Sequence, residues 1–178
     1  MRWISFFILG YVAVGLQIGM SRSAEWHGAQ PDLILLAAIF VALNASRDAA
    51  LLACLMLGAM HDLTAQGTLG LYALAYGLVG MFVLSARQAL FREHPLTHIV
   101  TTFFSGLIVA FVLLMHLILR PLPGERAAGM HGRIGPLVMG AIYTAVLSLP
   151  LLGLLQRIKG LFLFQSALGR SRYSHSMR

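Results

Sequence analysis

Long apolar stretches fill this chain, and polar residues sit almost only in the gaps between them. The clearest run from Trp3 to Gly19, Gly70 to Leu84, Ile99 to Leu119 and Pro136 to Leu155. Two shorter ones, Leu33 to Leu43 and Ala49 to Met60, lie between the first and second. A hydrocarbon core about 30 Å thick needs about 20 apolar residues per helix. The expected fold is therefore an all-α integral membrane protein, a bundle of about six transmembrane helices with helices 2 and 3 short. Residues 1–157 are read as one transmembrane domain and 158–178 as a basic cytoplasmic tail, disordered from Gly169 to Arg178.

Hydrophobic residues make up 58% of the chain and charged ones 11%, with a mean hydropathy of +0.81. Such a chain would not dissolve as a globule, and almost no sequence remains for a soluble catalytic domain. The lone Cys54 sits among Leu and Ala and reads as a small packing residue. The first stretch follows a basic Met1-Arg2 start. Arg22 falls where a signal-peptide cleavage site wants a small residue, so this stretch reads as a retained helix.

Charge sets an expected topology. With six spans and the N-terminus inside, the inner segments hold Arg2, Arg47, Arg87, Arg92, Arg157, Lys159, Arg170, Arg172 and Arg178. The outer segments hold Arg22, Arg120, Arg126 and Arg133. Nine against four follows the positive-inside rule, with both termini cytoplasmic. The net charge of +7 reads as topological signal and attraction to anionic membrane lipids, not as a nucleic-acid site. Helices 2 and 3, joined by the polar turn Asn44 to Asp48, are read either as two short tilted spans or as a re-entrant hairpin buried in protein.

Small residues recur at helical spacing. Gly70, Ala73, Gly77 and Gly80 share one face; Ala50, Cys54, Gly58 and Asp62 share another; Gly15 and Gly19 repeat the theme. In lipid such faces let backbones approach closely, so they are expected to build the bundle, with docking of another membrane protein as the sharper alternative. Gly77 is expected at a close contact that Leu would disrupt. Hydroxyls line up at Thr97, Thr101 and Ser105, and with Gly140 at Thr144 and Ser148. They are expected to bond back to carbonyls one turn earlier. Pro150 is expected to kink the last helix.

Intramembrane ionisable groups are functional candidates. Asp62 is the foremost; it should point into protein and find a donor, with Arg120 and nearby backbone amides as candidates. Asp32 follows Pro31 and reads as a helix start favoured by the helix dipole. Gln17, Asp32, His61, Asp62 and His116 all fall near the outer face. His61 and His116 lack a second pair that would argue for haem, and no cofactor is expected. Adjacent His61 and Asp62 point about 100° apart on a helix and do not make a catalytic pair. The sequence carries no hydrolase, metalloprotease or phosphate-loop motif, so an enzyme is not expected.

The segment from Pro31 to Leu84 resembles the bacterial MreD family. The residues that carry the resemblance are Pro31-Asp32-Leu33-Ile34-Leu35-Leu36, the turn at Asn44 to Asp48, Gly58-Ala59-Met60-His61-Asp62-Leu63, and Gly67 through Tyr76. In the family pattern a helix ends in an Asp-Leu pair, and a Leu-Gly step opens the next. His61 stands where an apolar residue is more usual, and the loop from Arg120 to Arg133 is longer and more basic than the pattern. The resemblance implies a non-enzymatic inner-membrane component of the elongation machinery that pairs with MreC. It further implies a link between MreB filaments and the wall-synthesising glycosyltransferase and transpeptidase. It also implies a fold like the substrate-binding component of energy-coupling-factor transporters. The alternative reading is therefore a small-molecule-binding component of a transporter.

Overall fold

The computed structural model describes residues 3–20, 30–65, 68–90, 95–119 and 131–162. Regular structure there is wholly helical: α1 Trp3–Met20, α2 Leu33–Asn44, α3 Arg47–Thr64, α4 Leu71–Leu90, α5 Pro95–Leu119 and α6 His131–Phe162. Segments Trp3–Met20, His98–Leu119 and Gly135–Leu155 are long and apolar enough to cross a bilayer. Their outward faces carry Ile4, Tyr11, Phe111 and Val146, all exposed. On a soluble protein so much exposed apolar surface would drive aggregation; in a bilayer it meets lipid.

At the centre stands α2. Ten of its twelve residues are buried, and among the described residues it packs against each of the other helices. This explains its sequence, Leu-Ile-Leu-Leu-Ala-Ala-Ile-Phe-Val-Ala, which is apolar all round and has no polar stripe. It is about 18 Å long at about 1.5 Å per residue. Protein caps each of its ends. Asp32 Oδ1 accepts from the Leu35 amide at 2.8 Å, and Arg87 Nη1 donates to the Ala45 carbonyl at 2.8 Å. A carboxylate at the N-terminus and a guanidinium at the C-terminus both suit the helix dipole.

Helix α3 differs from the expectation that it is short. It spans 18 residues, about 27 Å. Polar residues Arg47, Asp48, His61 and Asp62 continue it beyond the apolar centre at both ends, and apolarity alone hid them. It is therefore longer than its apolar centre alone suggests. Helix α6 runs unbroken through Pro136 and Pro150 and continues past Arg157 to Phe162. The expected tail beyond Phe162 and the basic loop from Arg120 to Met130 lie outside the described residues.

Two small-residue faces meet in the α3–α4 pair. A methyl group added at Gly58 would sit 2.5 Å from Ala73 Cα and 2.5 Å from the Tyr72 carbonyl oxygen. At Gly80 it would meet Cys54 Sγ at 3.1 Å, and at Gly77 the δ-methyl of Leu55 at 2.9 Å. These faces thus build the bundle. Gly70 departs from the expectation: it sits in the turn before α4, exposed, with φ of 95°, a conformation that favours glycine. Gly15 and Gly19 also depart from it, because nothing lies within 4 Å of either added methyl. On α1 it is Gly10 that packs, against Leu57 and Met60 of α3.

The hydroxyls divide. Thr144 bonds back to the Gly140 carbonyl at 2.8 Å and Ser148 to that of Ala145 at 2.6 Å. Thr102 and Ser105 on α5 are fully buried, and their hydroxyls have no hydrogen-bond partner among the described residues. Cys54 is buried against the Ala38 carbonyl, 3.6 Å away.

Candidate functional site

The polar residues of one end of the bundle form two connected clusters. The first is built on Asp62, in the last turn of α3 and 4% exposed. Its Oδ2 accepts from the amides of Gly70 and Ala73, each at 3.0 Å, and its Oδ1 from the amide of Tyr72 at 2.9 Å. These are amides at the start of α4, which would otherwise lack partners. A carboxylate at the C-terminal end of its own helix is disfavoured by that helix's dipole. Here it lies against the N-terminal end of the next, which reverses the sign. Of the donors expected for Asp62, the backbone amides are the ones observed; Arg120 lies outside the described residues.

The second cluster gathers at the start of α2. Tyr76 Oη donates to Asp32 Oδ2 at 2.6 Å and lies 2.8 Å from His61 Nδ1. A phenol has one proton. Once it is given to the carboxylate, the phenol oxygen accepts from His61 Nδ1–H, which assigns that tautomer. The His61 ring stacks on Tyr72 with centroids 4.0 Å apart. The Asp32 amide donates to Thr144 Oγ1 at 3.0 Å, tying α2 to α6. Gln17 of α1 donates to the Pro31 carbonyl at 2.9 Å and accepts from the Leu33 amide at 2.7 Å.

Beside this cluster lies a cleft of about 250 Å³. Gln17, Gln30, Pro31, Asp32, His61, Tyr72 and Thr144 form its polar wall, and Leu35, Val109, Leu113 and Ala141 its apolar one. Its lining contains no Lys or Arg among the described residues. Gly106 lets α5 approach α6 at its base, where an added methyl would sit 2.9 Å from Ala141 Cβ.

Of the residues expected near the outer face, the structure brings together Gln17, Asp32 and His61. Asp62 adjoins them through the start of α4. His116 stands apart, its Nε2 3.0 Å from Thr68 Oγ1 in an exposed contact. Gly58, Ala73, Gly77 and Gly80 serve the α3–α4 contact, and Gly70 the turn. Sequence reasoning missed Tyr72 and Tyr76. Their signal was present: two tyrosines one turn apart in an apolar helix, each with a hydroxyl that wants a partner when buried.

The family model described as rod shape-determining protein MreD matches residues 1–158. Comparison with curated proteins and with solved structures gives no match.

Proposed function

The chain belongs to the MreD family of rod shape-determining proteins, and from that premise we propose that it is a non-enzymatic inner-membrane component of the cell-elongation machinery. The observation that carries the reading is the reach of the match, from the start of α1 to within a few residues of the end of α6. In this role the protein binds MreC and helps link MreB filaments to the wall-synthesising glycosyltransferase and transpeptidase. It crosses the membrane six times with both termini cytoplasmic, as the basic-residue bias of nine to four favours. Its fold is that of the substrate-binding component of energy-coupling-factor transporters. The two clusters support a scaffold role, since their polar groups mostly bind one another and backbone, which fixes helix ends and holds a rigid surface.

Depletion with complementation tests the role, and co-purification tests the partner. Full-length chain expressed in a rod-shaped host lacking its own family member should restore rod shape and co-purify MreC. A transporter component would instead co-purify ATPase subunits and leave the cells round, and that outcome would overturn the reading.

A further inference from the structure

The cleft beside Asp32 carries a charge that the α2 dipole and two hydrogen bonds stabilise but that no cation among the described lining residues pairs with. Asp32 presents a carboxylate, and the described lining offers no Lys or Arg to pair with it. Each of its oxygens already accepts one hydrogen bond, Oδ1 from Leu35 and Oδ2 from Tyr76. A carboxylate has about four lone-pair sites, so acceptor capacity remains on both. His61 adds to it. With its Nδ1–H given to Tyr76, the neutral ring leaves Nε2 as an acceptor. Both polar atoms of Gln17 and the hydroxyl of Thr144 are engaged with backbone, while the Gln30 amide and the Tyr72 hydroxyl also line the cleft and each can accept. What remains is a set of acceptors, one of them charged, facing an apolar wall of Val109, Leu113 and Ala141.

We propose that this cleft binds a small organic cation, a primary ammonium on an apolar attachment, with Asp32 as its counter-charge and His61 as a second acceptor. An ammonium offers three donors and no acceptor, which matches the capacity left open. The apolar wall takes the attachment. Size argues for a small group: pockets for drug-sized ligands run about 300–1,000 Å³, whereas this cleft is about 250 Å³. That volume suits a group of headgroup size. The same chemistry has two sources, the amine headgroup of a membrane lipid and a free water-soluble amine. The inference goes beyond the shape-determining role and does not depend on it.

The test uses full-length protein purified in a non-ionic detergent. Thermal unfolding is followed while butylamine, butanol or butyrate is titrated. In parallel, native mass spectrometry measures retention of phosphatidylethanolamine against phosphatidylglycerol. Wild type should be stabilised saturably by butylamine alone, or should retain phosphatidylethanolamine over phosphatidylglycerol. The first result identifies a free amine and the second a lipid headgroup. Asp32→Asn keeps one oxygen, which can still accept from the Leu35 amide, and turns an NH2 toward Tyr76, whose phenol must then give its proton to His61; it removes the charge. It should weaken amine binding by about thirtyfold or more, the cost of a desolvated cation without its partner. Ala110→Phe fills the cleft and touches none of these hydrogen bonds. It should abolish binding even if Asp32→Asn fails to fold. Asp48→Asn, on the exposed start of α3, should bind as wild type does. Absence of both amine responses in wild type, or equal binding by Ala110→Phe, would overturn the proposal.

Discussion

Tyr76 Oη lies 2.6 Å from Asp32 Oδ2 and 2.8 Å from His61 Nδ1, so one phenol joins the second turn of α4 to the start of α2 and the end of α3. Tyr76 is fully buried. Tyr76→Phe removes the oxygen and leaves two partners short of a bond. The expected loss is about 1–3 kcal/mol, the range for stranding buried polar groups. Thermal unfolding in detergent measures it. An unchanged melting temperature would mean that water takes over both bonds.

Gly58 and Gly77 lie on facing surfaces and differ in what they face. An added methyl at Gly58 meets backbone at 2.5 Å, which cannot move aside. At Gly77 it meets the end of the Leu55 side chain at 2.9 Å, which can rotate. Gly58→Ala should cost about 3 kcal/mol or more, the upper range for overpacking. Gly77→Ala should fall within about 0.5 kcal/mol of wild type, because the helix gain for Ala offsets the small shift. Membrane levels by blot and unfolding of the purified variants report both. Equal effects would show that α4 slides to relieve the clash.

Asp62→Ala leaves three amides at the start of α4 without their acceptor. Tyr72 and Ala73 are half-buried and Gly70 is exposed. The total loss should therefore be about 1–3 kcal/mol, the range for stranding one buried polar group, and the variant should accumulate poorly and restore rod shape incompletely. Asp48→Ala, exposed on α3, should stay within about 0.5 kcal/mol. The loss in Asp62→Ala should track protein level. A variant at normal level that still fails would reveal a partner contact at Asp62 beyond its role in the fold.

Topology has its own check. An alkaline-phosphatase fusion after Gly124 should be active, and one after Arg178 should not, since basic residues favour the inner side. An active C-terminal fusion would sink the six-span arrangement.

Element positions were legible because hydropathy marks each helix core. Helix lengths were less so. The ends of α3 are polar, and nothing in Arg47 or Asp62 alone says that the helix continues through them. The pairing of the two small-residue faces was half legible: each stripe is periodic, but which stripes meet depends on helix order in space. The same gap hid the cleft. Gln17, Asp32 and His61 stand far apart in sequence and meet only because α2 occupies the centre. Tyr76, which joins Asp32 to His61, lies inside an apolar run that gives no sign of a polar role.

The enclosure of α2 also bears on how the protein is made. A helix that inserts alone must first be stable facing hydrocarbon on every side, with its ends near water. At about 18 Å, α2 is shorter than a bilayer core about 30 Å thick, so a crossing there relies on local thinning and on the neighbours that extend its ends. Its two ends are capped by residues of α1, α4 and α6, and two of those helices follow it in the chain. Biogenesis therefore has to shelter α2 until α4 and α6 have emerged. Its residence in the membrane is settled late, by its neighbours.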